Sequence, residues 1–142
     1  MRTVSLFTPF LLLMTSLLAA CQATTEPAVD TVAAKSVLSG EVWYRQRSAL
    51  PPDAVLEVSL LDVSRADAQA TVLAHQRVEP AGQVPIRFAL AYEATQIKPN
   101  MSYAVQATIR QGNKLLFINT ERFAVLTRGA PTDQVKVRVD PV

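Results

Sequence analysis

Period-two alternation of apolar and polar residues between 37 and 139 predicts an all-β chain, an antiparallel β-sandwich of immunoglobulin-like kind. Two further observations support it. Turn-forming residues recur every 10–14 positions or so, a little wider than the spacing usual for sandwich strands. No segment of the 142 residues shows a convincing amphipathic-helix pattern. Seven or eight short strands are expected, in one domain over 37–142.

The first 20 residues read as an address. Arg2 supplies a positive start, and 4–18 is an uncharged apolar run, the length of a signal-peptide core and short for a spanning helix. Leu18, Ala19 and Ala20 precede Cys21 and match the bacterial lipobox, in which the cysteine thiol is acylated and the chain is cut just before it. Cys21 is the sole cysteine, so intrachain disulfides and multi-cysteine metal sites are excluded. Each buried lipid methylene contributes roughly 0.8 kcal/mol, so two or three acyl chains on Cys21 would anchor the protein stably. Residue 22 is Gln rather than Asp, which favours sorting to the periplasmic face of the outer membrane. Residues 21–36, small and polar with Pro27 among them, read as the lipidated cysteine and a flexible tether.

The strands follow in order. Residues 37–47 carry Val42, Trp43 and Tyr44, and end before Pro51-Pro52, which lack amide donors. Residues 54–63 place Leu56, Val58 and Leu60 on one face. Residues 71–78 are a weaker strand, and Pro80-Ala81-Gly82 turns the chain. In 84–92, Ile86, Phe88 and Leu90 alternate with Arg87, Ala89 and Ala91. Residues 103–110 alternate through Tyr103, Val105, Ala107 and Ile109. Gly112-Asn113 is a two-residue hairpin turn, because glycine accepts positive φ without steric cost. Residues 115–119 return, and 123–126 and 135–139 complete the set.

The hairpin fixes an expected register. Gln111 faces Lys114, Arg110 faces Leu115, Ile109 faces Leu116 and Ala107 faces Ile118. Leu115 and Phe117 then point away from the core, as does Trp43, and the three form a candidate partner surface. A one-residue change of register would instead bury Leu115 and Phe117.

Composition gives little for catalysis. His75 is the one histidine, expected on a solvent-facing or edge strand, and no second histidine can complete a metal site or a catalytic pair with it. Asp62, Ser64 and Asp67 cluster, but they lack the glycine and the oxygen ligands of a calcium loop, and read as turn or capping residues. The four glycines form no phosphate loop. With 14 basic and 12 acidic residues in no stripe, nucleic-acid binding is not expected. The reading is therefore a non-enzyme, without cofactor beyond the covalent lipid on Cys21 and without a catalytic or metal site. Aromatics total 6%, few for stacking on sugars, which limits the alternative of a lipoprotein that maintains the envelope by binding glycan or peptidoglycan.

Several segments together resemble a known family: Gly40-Glu41-Val42-Trp43-Tyr44-Arg45, Ala49-Leu50-Pro51-Pro52-Asp53-Ala54, Leu60-Leu61-Asp62-Val63-Ser64-Arg65-Ala66-Asp67-Ala68, Val84-Pro85-Ile86-Arg87-Phe88-Ala89-Leu90, Tyr103-Ala104-Val105-Gln106-Ala107-Thr108-Ile109, Leu115-Leu116-Phe117-Ile118-Asn119-Thr120 and Val125-Leu126-Thr127-Arg128-Gly129. In order and spacing, from 38 to 139, they resemble the YbaY-type lipoproteins, grouped with the YscW-type lipoprotein chaperones (pilotins) of type III secretion. The resemblance implies a small β-sandwich on an outer-membrane lipid anchor. It also implies a non-catalytic binding or assembly role, with a secretin segment or another envelope protein as partner.

Overall fold

The computed structural model describes residues 34–142. The lipobox residues Leu18, Ala19 and Ala20, together with Cys21 and most of the tether, lie outside the described residues. Nine strands follow in order: β1 Lys35–Trp43, β2 Ala54–Asp62, β3 Thr71–Val78, β4 Ile86–Glu93, β5 Tyr103–Gln111, β6 Lys114–Ile118, β7 Phe123–Val125, β8 Val135–Arg138 and β9 Asp140–Pro141. A single 3-10 turn, Ala94–Gln96, follows β4. The first strand begins two residues before the expected start of the domain, because Lys35 and Ser36 pair with Glu93 and Tyr92. It ends at Trp43 rather than at 47. There Tyr44 turns inward and its hydroxyl donates to the Ser48 carbonyl at 2.6 Å, so 45–49 leave as an exposed loop.

Two sheets face each other. One has the order β4-β1-β8, with β8 parallel to β1; the other runs β3-β2-β5-β6-β9, with β7 also on β5. Alternation decides what lies between them. Leu38 and Val42 of β1 and Ile86, Phe88 and Leu90 of β4 oppose Leu56, Val58 and Leu60 of β2 and Val105, Ala107 and Ile109 of β5, all buried. The core is purely apolar, with no buried polar or charged residue among those described. The chain passes from one sheet to the other at its C-terminal end. Val139, fully buried, donates its N–H to the Trp43 carbonyl at 2.9 Å, and the next residues, as β9, pair with β6.

Four local devices hold this arrangement. Gly40 sits opposite Phe88 in the β1/β4 ladder. A Cβ there would lie 2.6 Å from Phe88 Cζ and against the Val135 carbonyl, so glycine is what lets the ring cover the strand and β8 close in. Tyr103 opens β5, and its hydroxyl accepts from the Lys98 N–H at 2.9 Å and donates to the Gln96 carbonyl at 3.1 Å. That ties the preceding loop to the strand, in the manner of the tyrosine corners of sandwich domains. Gln83 pairs with both the N–H and the carbonyl of Leu50, at 2.9 and 3.0 Å, as a neighbouring strand would. Asn119 fills the gap along β5 between β6 and β7. Its Oδ1 accepts from the Ala107 N–H at 2.7 Å and its Nδ2 donates to the Val105 carbonyl at 3.2 Å.

Two substitutions test these devices. Gly40→Ala is expected to cost about 1–3 kcal/mol in denaturant unfolding, since Phe88 or β8 must shift. Asn119→Ala, which leaves the N–H of fully buried Ala107 unpaired, is expected to cost about 1–3 kcal/mol in the same measurement.

Candidate partner-binding surface

The expected outward group of Trp43, Leu115 and Phe117 does not form. The hairpin register holds for its first two pairs, Gln111 with Lys114 and Arg110 with Leu115. It then shifts by one: Ile109 faces Phe117 instead of Leu116, and Thr108 faces Ile118. Leu116 is the extra residue of a β-bulge, which moves every following side chain to the opposite face. Phe117 is thereby turned into the core, at 7% exposure, opposite buried Ile109. Its ring stacks on Tyr44, centroids 4.5 Å apart and planes 13° from parallel. The same burial pushes the Tyr44 phenol above its ordinary range. Leu115 and Trp43 are both half-buried, but Leu115 lies in the larger sheet and Trp43 in the smaller, so they share no face.

The other sequence candidates are placed as follows. His75 is exposed on edge strand β3, its Nδ1 3.1 Å from the hydroxyl of Ser59, the residue opposite it on β2. A serine and a histidine in contact invite a catalytic reading, but the setting lacks the remaining parts. Strand β2 is central, paired on both sides, so its backbone N–H groups belong to the ladders and none converges as an oxyanion hole. Nearby Glu57 is held by Arg77 at 3.1 Å. Asp62 accepts from the Ser64 N–H at 2.9 Å and from its hydroxyl, the turn role expected of it. Those hydrogen bonds, the hydroxyl's first, hold its carboxyl below the usual carboxylate range. Among the described residues no group of three His, Cys, Asp or Glu side chains is placed to hold a metal ion.

What remains open to a partner is of two kinds. The first is the seam between β3 and β4, the neighbouring edges of the two sheets. No backbone ladder joins them; instead the Gln76 side chain accepts the Ala89 N–H at 2.7 Å. An edge closed by one side-chain bond is a place where an added strand can pair. The second is a shallow concavity of about 550 Å³ on the three-stranded sheet, bordered by Ser39, Glu41, Arg87, Gln134 and Lys136. Among the described residues, exposed large apolar side chains are few and scattered: Val37 at 55% on β1, Val72 at 57% on β3, and Val142. Neither opening was legible in the sequence, because both depend on which strands are neighbours.

Phe117→Ser separates the two registers. With the bulge, serine replaces a stacked core ring, and an unfolding cost of about 3–5 kcal/mol is expected. An outward Phe117 would give a change near zero.

Comparison with known proteins agrees with this architecture. The chain is 41% identical over 108 residues to the "Uncharacterized lipoprotein YbaY" of Escherichia coli (strain K12), a match covering 75% of this chain and 55% of that protein. It therefore spans little more than half the length of that relative. A solved structure of an alternative pilotin from the type II secretion system of Vibrio cholerae superposes with a TM-score of 0.73 at 41% identity, over 77% of this chain and 98% of the pilotin. Residues 33–138 match the family described as the type III secretion system lipoprotein chaperone YscW. With nearly all of the β-domain inside that match, the chain belongs to the YscW family of lipoprotein chaperones.

Proposed function

We propose that this protein is an outer-membrane-anchored periplasmic lipoprotein that acts as a pilotin-like assembly chaperone, binding a segment of a secretin and performing no chemistry on it. One observation carries the reading: the likeness to an alternative pilotin extends over 98% of that chain at 41% identity, so the whole pilotin domain has a counterpart here. Three others support it. The Leu18–Ala19–Ala20–Cys21 lipobox supplies an anchor. The seam at β3 and β4 supplies an edge for an extended segment. The Ser59–His75 pair joins central strand β2 to edge strand β3, where the backbone N–H groups of β2 are committed to its two ladders.

The reading is tested in two steps. Labelled palmitate is expected to enter the wild-type protein and to be lost with Cys21→Ser; incorporation that survives the change contradicts the anchor. Affinity capture from mildly solubilised envelope is expected to recover a secretin-type outer-membrane ring protein. Recovery of no such protein, with retention of the chain on purified sacculi, would instead support a glycan-binding envelope lipoprotein.

A further inference from the structure

The outer face of the three-stranded sheet carries a row of three charges. The ladders set Glu41 opposite Arg87 of β4 on one side and opposite Lys136 of β8 on the other. One carboxylate thus stands between two cations. It turns to Lys136, at 3.5 Å. Arg87 is exposed and has no ion pair among the described residues, although its strand partner is an acid.

Hydrogen-bonding capacity in the adjoining concavity is equally one-sided. The neighbouring acid Asp133, next in sequence to the lining residue Gln134, is engaged by the Ser39 hydroxyl and by the Gln134 N–H at 2.8 Å. Those bonds, the hydroxyl's first, hold its carboxyl below the usual carboxylate range, so it stays a charged acceptor already in use. Both acids therefore have partners, while the five donors of the Arg87 guanidinium have none among the described residues. The wall that carries Asp133 and Gln134 is held in shape. Gln134 has φ 51°, Leu126 φ 70° and Arg128 φ 57°, a left-handed conformation that non-glycine side chains adopt only when the surroundings impose it. At Gln134 the turn is closed by its N–H donating to the Asp133 carboxylate, which the Ser39 hydroxyl of β1 also engages, while Thr127 and Arg128 are tied to the Met101 and Asn100 carbonyls at 2.8 Å.

We propose that this concavity is a carboxylate-recognition site, in which Arg87 takes an aspartate or glutamate of the client polypeptide through its planar fork while Lys136 and Glu41 complete the row. The proposal rests on the chaperone reading and names a chemical feature of the client segment. An incoming carboxylate beyond Arg87 extends the alternation of sign already present in the row and engages donors that have no partner among the described residues. Guanidinium–carboxylate pairing is the two-point contact for which arginine is suited and lysine is not.

The test uses the full-length lipidated protein, isotope-labelled in detergent micelles, titrated with an acetylated tetraglutamate peptide and followed by NMR. Shifts are expected to cluster at Ser39, Glu41, Gln134 and Lys136 and at the Arg87 side-chain N–H. Arg87→Ala is expected to weaken binding by about tenfold and Arg87→Lys by less, since charge survives without the fork. Arg47→Ala, at an exposed cation in the loop after β1, is expected to leave binding within about twofold. Shifts spread over every exposed cation, an Arg87→Ala affinity equal to wild type, or tighter Arg87-dependent binding to phosphatidylglycerol vesicles than to the peptide would each overturn the site. The two readings fail separately. If Arg87→Ala protein still captures a secretin from envelope as well as wild type does, the site falls and the chaperone reading stands. If wild type captures none while the titration behaves as expected, the chaperone reading falls and the site stands.

Discussion

The two sheets are bound to each other at one end by a single irregularity, the β-bulge at Leu116. Because it inserts one residue opposite the end of β5, Phe117 crosses to the inner face and stacks on Tyr44, which belongs to the end of the other sheet. The same place receives the chain terminus: the Leu116 carbonyl accepts the Val142 N–H at 3.2 Å, and β9 pairs with Phe117 and Ile118. Without the extra residue the ring would face solvent. A stacked aromatic pair adds about 0.5–1.5 kcal/mol beyond the area it buries. Beside the bulge the C-terminal segment changes sheets, serving the small sheet up to Val139 and the large sheet after it.

The rest of the sandwich is held by packing and by side chains that stand in for missing strands. No disulfide is available to a chain with one cysteine, and the described core contains no buried polar residue. At three places without a ladder, an amide side chain supplies the backbone's partner: Gln83 at Leu50, Asn119 at Ala107 and Gln76 at Ala89. Each has both a donor and an acceptor, so it can imitate the peptide group it replaces. Charge is kept to the outer faces and the rims. Arg138 joins Glu121 at 2.7 Å and Asp140 at 3.4 Å, fastening the corner between β8 and β9 to the turn after β6.

Much of this was legible in the residues themselves. Alternation and turn chemistry together located eight of the strands, and the inner faces of β2, β4 and β5 are those that the pattern assigned, from Leu56 through Phe88 to Ile109. The Gly112-Asn113 turn closes its hairpin as its chemistry requires. The bulge was not legible. Leu115, Leu116, Phe117 and Ile118 are all apolar, so no alternation remains to say which faces inward, and the choice is made by Tyr44 and the C-terminal strand across the sandwich. Leu115, Phe117 and Trp43 consequently read as one surface when they belong to three different settings. The Arg87–Glu41–Lys136 row was hidden for a related reason: its members lie about 46 and 95 residues from one another in the chain and meet only through strand order.

A sandwich braced in this way presents sheet edges and a polar concavity among its described residues, the features on which the proposed holding of a client draws. The stack of Tyr44 on Phe117 couples the two sheets. A double-mutant cycle with Tyr44→Leu and Phe117→Leu, measured by denaturant unfolding, addresses it directly. A coupling energy of about 0.5–1.5 kcal/mol is predicted. Costs that add without coupling would contradict the bulged register and the joining of the sheets that depends on it.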